Sequence, residues 1–138
     1  LNLVALTLGA EGVMMATRFM ATHECQVHEN IKKEILKRQE NDTTLICKTV
    51  NLQGRAIKNK IVAEILEAEK KGANIMELAP LITGERCLKA WQTGDVDIAP
   101  MMMGQSLGRI NDIKSCKEVI EDMVAQAKKE IERVRGLF

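Results

Sequence analysis

The sequence predicts an α/β chain in which helix predominates, and three observations lead there. Val13-Met14-Met15-Ala16, bounded by Gly12 and Thr17, is a short, wholly apolar run, as expected of a strand buried on both faces of a parallel sheet. Several longer stretches repeat apolar residues three and four positions apart, the helical period. In the clearest of them Val119, Ile120, Met123, Val124, Ala127, Ile131 and Val134 form a stripe expected to be buried. Thr43 to Val50, rich in β-branched residues, reads as a strand or extended segment.

Composition excludes several function classes. The 138 residues suffice for one domain with a real core. A net charge of +1 leaves no broad electrostatic footprint for nucleic acid. The aromatics are Trp91, Phe19 and Phe138, with no tyrosine, too few for base-stacking platforms. No apolar run approaches the ~20 residues that span a bilayer. The Leu/Val/Ala-rich opening lacks the basic leader of a signal peptide. Neither nucleic acid nor a membrane is an expected partner. Cys25, Cys47, Cys87 and Cys116 are dispersed without a C-x-x-C pair, which fits a reduced, cytoplasmic chain.

Taken in order, Leu1 to Leu8 is expected to form a helix, with Leu3, Val4, Leu6 and Leu8 apolar and Gly9 ending it. The strand Val13 to Ala16 follows, then a helical turn from Thr17 to about Thr22. A polar stretch to Glu29 holds both histidines. Asn30 to Gln39 is a helix with Ile31, Ile35 and Leu36 on one side and Lys32, Lys33, Lys37 and Arg38 on the other. Asn41-Asp42 breaks it ahead of the β-branched segment. A long helix is expected after Gly54, with Ile57, Ile61, Ile65, Leu66 and Ala68 at helical spacing and Lys70-Lys71-Gly72 at its end. Asn74 to Leu81 is a short helix interrupted by Pro80, and Glu85 to Gln92 another, ended by Gly94. Gly94 to Asp97 is a turn, and Ile98 to Gly108 is apolar and punctuated by glycine. Ser115-Cys116-Lys117-Glu118 is a capping box that opens the last helix.

Candidate chemistry gathers in two places. Where the expected strand meets the helix at Ala16-Thr17, unpaired backbone N–H groups favour an anionic group, above all a phosphate, and Thr17 adds a hydroxyl. Arg18 could support the anion, although an arginine there more often pairs with a carboxylate. Met101-Met102-Met103-Gly104-Gln105 is the second place: methionine adapts to irregular apolar surfaces and Gln105 offers a hydrogen-bonding amide, while core packing is the ordinary role of such methionines. His23, Cys25 and His28 supply three metal-ligand types at a spacing that matches no zinc pattern, so no metal is expected. Lys58, Lys60, Lys70 and Lys71 interleave with Glu64, Glu67 and Glu69, as on a solvated, salt-bridged helix face.

Leu8-Gly9-Ala10-Glu11-Gly12-Val13-Met14-Met15-Ala16-Thr17-Arg18-Phe19 resembles the last barrel strand of the nitronate monooxygenase family, formerly called 2-nitropropane dioxygenases. The flavin-dependent enoyl-ACP reductases share this signature. In both, an L-G-A-x-G-V-x-x-G-T-R-F segment closes a TIM-type barrel and holds the FMN phosphate. The chain departs from the pattern at Met14, where the family often has Gln, and at Ala16, where it usually has Gly. The resemblance continues in order. Val27 to Lys32 and Asn41 to Thr44 are similar to the segment leaving the barrel, Arg55 to Asn59 to the start of the next family helix, and Gly94 to Asp97 and Met103-Gly104-Gln105 with Gly108 to the segment returning to the active site.

The resemblance implies the C-terminal part of a TIM-type (β/α)8 barrel with a mainly helical inserted substrate domain, since a whole barrel needs roughly 250 residues. The implied division is 1–27 for the last strand region, 28–95 for the substrate or lid domain, and 96–138 for the return segment and closing helix. It assigns Met14, Met15, Ala16 and Thr17 to FMN, and Met103, Gly104 and Gln105 to the substrate pocket. It assigns no catalytic residue, because the family's histidine lies upstream and neither His23 nor His28 matches its motif. The implied reaction is oxidation of an alkyl nitronate by O₂. The alternative is an NAD(P)H-dependent enoyl-ACP reductase acting on an acyl thioester, and a further one a helical interaction module without chemistry. The upstream half of the barrel is the implied partner, and a homodimer is compatible with all of this.

Overall fold

In the computed structural model, which describes residues 2–137, the expected strand β1 (Thr43–Ile46) pairs with β2 (Gly54–Ile57), a segment whose spacing had pointed to helix. The pair is antiparallel, with Thr43 opposite Ile57 and Ile46 opposite Gly54. Ile57 does share the helical period of Ile61 and Ile65, but the helix begins only after Asn59, whose side chain caps it by accepting from Val62 N–H at 3.0 Å. The loop between the strands turns with Cys47 and Asn51 both at φ +56°. A third segment joins the hairpin: Ile57 N–H donates to Met101 O, and Met103 N–H to Arg55 O, both at 3.0 Å.

Strand geometry sends successive side chains to opposite faces, and each face of this ribbon carries its own core. Ile57, Met101 and Met103 join Ala21, Ile31, Ile35, Ala90, Leu107 and Ile110 in the first core. Ile46 and Ala56 join Ile61, Val62, Ile65 and Leu78 in the second. Met102, opposite Ala56, lies on the second face; its methyl group occupies the space a side chain at Gly54 would need. The helices that pack on the two faces are α3 (Glu29–Lys37) and α6 (Gly84–Thr93) on the first, and α4 (Lys60–Lys70) with the short α5 (Ile75–Leu78) on the second.

Polar side chains fix the joints. Asn59 donates to Val96 O and Ala99 O at 2.6 and 2.9 Å, tying the start of α4 to the returning chain. Glu69, buried near the end of α4, accepts from the N–H groups of Cys47 and Thr49 at 2.9 and 3.1 Å and from the Thr49 hydroxyl at 3.2 Å. Burial alone would push this carboxyl up, but the hydrogen bonds outweigh it and hold it below the ordinary range. His28 caps α3 by accepting Asn30 N–H at 3.1 Å. Gly94, at φ +73°, lets the chain pass directly against the His28 ring, where a Cβ would meet Nδ1. Lys32, expected on the polar side of α3, is instead buried, with its ammonium on Glu29 at 2.9 Å.

Two expectations of burial fail for a common reason. Val13 to Ala16 forms no strand, and Val13 and Met14 are 45% and 99% exposed. A parallel strand needs neighbours along both edges, and none lies beside this segment among the described residues. In α7 (Cys116–Arg135) only Val119 is buried, and Ile120, Val124, Ile131 and Val134 are exposed. Its stripe has the predicted period, but α1 (Asn2–Thr7) covers only part of it. Leu1, the expected first residue of α1, lies outside the described residues. The capping box forms as expected, with Ser115 Oγ accepting Glu118 N–H at 3.2 Å and Ser115 N–H reaching Glu118 Oε2 at 2.8 Å.

Replacing Glu69 by Ala strands two backbone donors in the hairpin loop, and urea unfolding is expected to register a loss of roughly 2–4 kcal/mol at pH 7. Because the folded state holds this carboxyl lower than the unfolded state does, the wild-type advantage is complete above the ordinary carboxylate range and shrinks as pH falls through the folded value. An advantage that grew on acidification would contradict the assignment.

Candidate functional site

The two candidate stretches meet through one hydrogen bond. Thr17 opens α2 (Thr17–Met20) and is buried, and its hydroxyl accepts Gly104 N–H at 3.2 Å. The bond sets the return segment against the Ala16-Thr17 junction. Just beyond, Thr22 pairs with Lys114 in a short parallel bridge, and His23 N–H donates to Lys114 O at 3.1 Å. The start of the chain and its return are therefore held side by side.

At the junction the Ala16 carbonyl accepts from Phe19 and Met20 N–H at 2.9 and 3.1 Å. Among the described residues the N–H groups of Ala16, Thr17 and Arg18 have no hydrogen-bond partner. They border an open groove of about 610 Å³ that runs between α1, residues 13–18, the 3-10 turn Gln105–Arg109 and α7. Ala16 is exposed, so the methyl that replaces the family's glycine hydrogen displaces no packed neighbour in this chain. Donors, space and an exposed backbone suit a phosphate monoester.

Arg18 has a different task. Its guanidinium binds Asp112 twice, Nη2 to Oδ1 and Nη1 to the backbone carbonyl, both at 2.8 Å. Lys114 reaches the same carboxylate at 3.0 Å and Asp122 of α7 at 2.7 Å. The hydrogen bond from Lys114 and then the Arg18 charge hold the Asp112 carboxyl below its usual range. This network clamps α2, the return segment and α7 together. Glu24 adds a second clamp by accepting Cys116 N–H with both oxygens, at 2.9 and 3.0 Å, at the positive end of α7.

The remaining sequence candidates separate. Met15 is half-buried, Met14 exposed, Gly104 half-buried and Gln105 exposed at the start of its turn. Met103 is 2% exposed and packs in the first core. Among the described residues no group of His, Cys, Asp and Glu is arranged to hold a metal ion. Lys70 and Lys71 pair with Glu67 as expected of a salt-bridged face, but Lys60 pairs with Asp97, Lys58 donates to Asn41 O, and Glu69, expected on this face, is instead buried against the hairpin loop. Sequence reasoning missed Asp112, Ser106 and Arg109. Asp112 lies 94 positions from its partner Arg18, so no local pattern announces it. Among the described residues no helix is long and apolar enough to cross a membrane.

A family model described as Nitronate monooxygenase matches residues 3–126. The chain belongs to the nitronate monooxygenase family. It is 27% identical over 96% of its length to (3aS,4S,5R,7aS)-5-hydroxy-7a-methyl-1-oxo-octahydro-1H-indene-4-carboxyl-CoA dehydrogenase of Rhodococcus jostii, covering 48% of that protein. It is 40% identical over 60 residues, 44% of this chain and 17% of the relative, to a probable nitronate monooxygenase of Bacillus subtilis. The structure of FabK from Thermotoga maritima, a relative among enoyl-ACP reductases, superposes with a TM-score of 0.90 at 32% identity, over 99% of this chain and 43% of FabK. The chain thus spans less than half the length of each of these relatives.

Thr17→Val removes the acceptor for Gly104 N–H and is expected to cost about 1–2 kcal/mol, with faster amide exchange at Gly104. Thr17→Ser keeps the hydroxyl and is expected to leave that exchange rate near wild type. Equal exchange in all three proteins would show that the bond does not hold the return segment.

Proposed function

We propose that this chain is the C-terminal part of an FMN-dependent oxidoreductase of the nitronate monooxygenase type. The carrying observation is the Thr17–Gly104 bond, which seats the return segment on the phosphate junction in a chain that follows the family model along nearly its whole length. In this reading residues 1–27 form the last strand region of a TIM-type barrel, 28–95 the substrate or lid domain, and 96–138 the return segment and closing helix. The upstream half of the barrel pairs with residues 13–16 and covers the exposed stripe of α7.

Met14, Met15, Ala16 and Thr17 hold the cofactor, with the Ala16 and Thr17 N–H groups donating to phosphate oxygens. FMN, when bound, supplies the electron transfer between substrate and O₂. Gly104 and Gln105 line the substrate side: the glycine lets the backbone come close, and the exposed Gln105 amide hydrogen-bonds a carbonyl or nitronate oxygen. Met103 backs them from the core. No proton transfer falls to a residue of this chain. The substrate is an alkyl nitronate, and the protein works as a monomer or homodimer in the cytoplasm.

The likeness to FabK at 32% identity favours a second reading, NAD(P)H-dependent reduction of an enoyl thioester on the same scaffold. Anaerobic mixing of the flavin-loaded intact protein with NADH or NADPH separates the two. The first reading expects O₂ uptake with a nitronate and no nicotinamide requirement. Rapid bleaching of the flavin band by a nicotinamide, without nitronate turnover, would replace it with the second. Failure to bind flavin at all would overturn both and leave a non-catalytic helical module.

A further inference from the structure

The backbone donors at Ala16 and Thr17 carry no full charge, whereas a phosphate monoester carries nearly two. The adjacent arginine does not supply the balance, because Arg18 is occupied by Asp112 through both terminal nitrogens. A second guanidinium borders the same groove. Arg109 ends the 3-10 turn Gln105–Arg109, is exposed, and among the described residues its side chain forms no hydrogen bond or ion pair. The carboxylates nearest in the fold are committed elsewhere: Asp112 to Arg18 and Lys114, Asp122 to Lys114, and Glu130 across the groove to Arg133 at 2.7 Å.

The turn that presents Arg109 is fixed firmly. Its N-terminal flank, Gly104, is bonded to Thr17. Leu107 and Ile110 anchor it in the first core, and Gly108 lies so close to the backbone of Glu40 that a Cβ there would sit 2.5 Å from its nitrogen. A long flexible side chain on a rigid turn, facing a groove with unpaired N–H groups, is the arrangement of an anion counter-charge.

We propose that Arg109 is a binding residue for the phosphate of the flavin mononucleotide, supplying the positive charge that Arg18, held by Asp112, does not. The inference rests on the FMN reading above. Arg18 then acts as a positioning residue for the groove wall, and Arg109 as its ligand-contacting cation.

The test compares FMN with riboflavin, which has the same ring and no phosphate, by fluorescence titration of the intact protein. In Arg109→Gln the affinity for FMN is expected to fall about tenfold or more while that for riboflavin stays near wild type, since one charge-assisted contact is lost. Arg109→Lys is expected to recover much of the difference, and raising the salt concentration to narrow the wild-type preference for FMN more than that of the Gln variant. An FMN to riboflavin ratio unchanged in Arg109→Gln, with wild type binding FMN, would overturn the role of Arg109 and leave the cofactor reading intact. A wild-type protein that binds neither flavin would overturn both. Among the described residues the Arg109 side chain makes no hydrogen bond or ion pair that its replacement would remove, and Arg109→Lys provides the control should Arg109→Gln lose its far-ultraviolet helix signal.

Discussion

The architecture depends on the backbone pairing of β2 with Met101 to Met103. The hairpin alone is a two-stranded ribbon, which is marginal in water. The returning segment adds an antiparallel bridge, Met102 to Ala56, flanked by a hydrogen bond on each side, and sets Met101 and Met103 on one side and Met102 on the other. Each face then gathers its own helices, so one small ribbon organises two cores. The same pairing places Gly104 just beyond the bridged segment, and from there the Thr17 bond follows. Core packing and the geometry of the candidate site are in this sense a single construction.

Buried or shared polar groups give the construction its register. Glu69 and Asn59 each satisfy several main-chain groups at once, one in the hairpin loop and one at the helix start. Glu24 and Ser115 each hold one main-chain N–H at the first turn of α7, those of Cys116 and Glu118. Apolar contacts tolerate sliding, whereas a side chain bonded to two or three particular backbone groups does not. The Arg18–Asp112–Lys114–Asp122 chain adds charge to this network at the edge of the groove.

Much of this was legible in the residues. The caps at Ser115 and Gly94, the helices around Ile31, Ile61 and Ala90, and the strand at Thr43 follow from local pattern. Gly54 to Ile57 was misread because Ile57 happens to lie in phase with Ile61 and Ile65, and only the pairing with β1 decides against helix. The triple methionine hid its alternation, since three identical residues reveal no inside or outside. The expected strand at Val13 and the stripe of α7 carry the right residues for burial, but burial depends on neighbours that the described residues do not include. For the site, the Ala16-Thr17 and Gly104-Gln105 stretches were visible as motifs. Their contact, and the pairing of Arg18 with Asp112, arise from residues nearly a hundred positions apart and have no local signature.

The parallel bridge between Thr22 and Lys114 has a wider consequence. About ninety residues leave from one point and come back to it, so the excursion has almost no end-to-end distance to span. A segment anchored like this can lengthen, shorten or change its lining without altering the spacing of the two segments at its base. Parts of the excursion that do not meet the Ala16-Thr17 junction, unlike Gly104 and the Gln105–Arg109 turn, can therefore vary independently of it. A family built on such a base can exchange much of the excursion and still keep the pairing of Thr22 with Lys114.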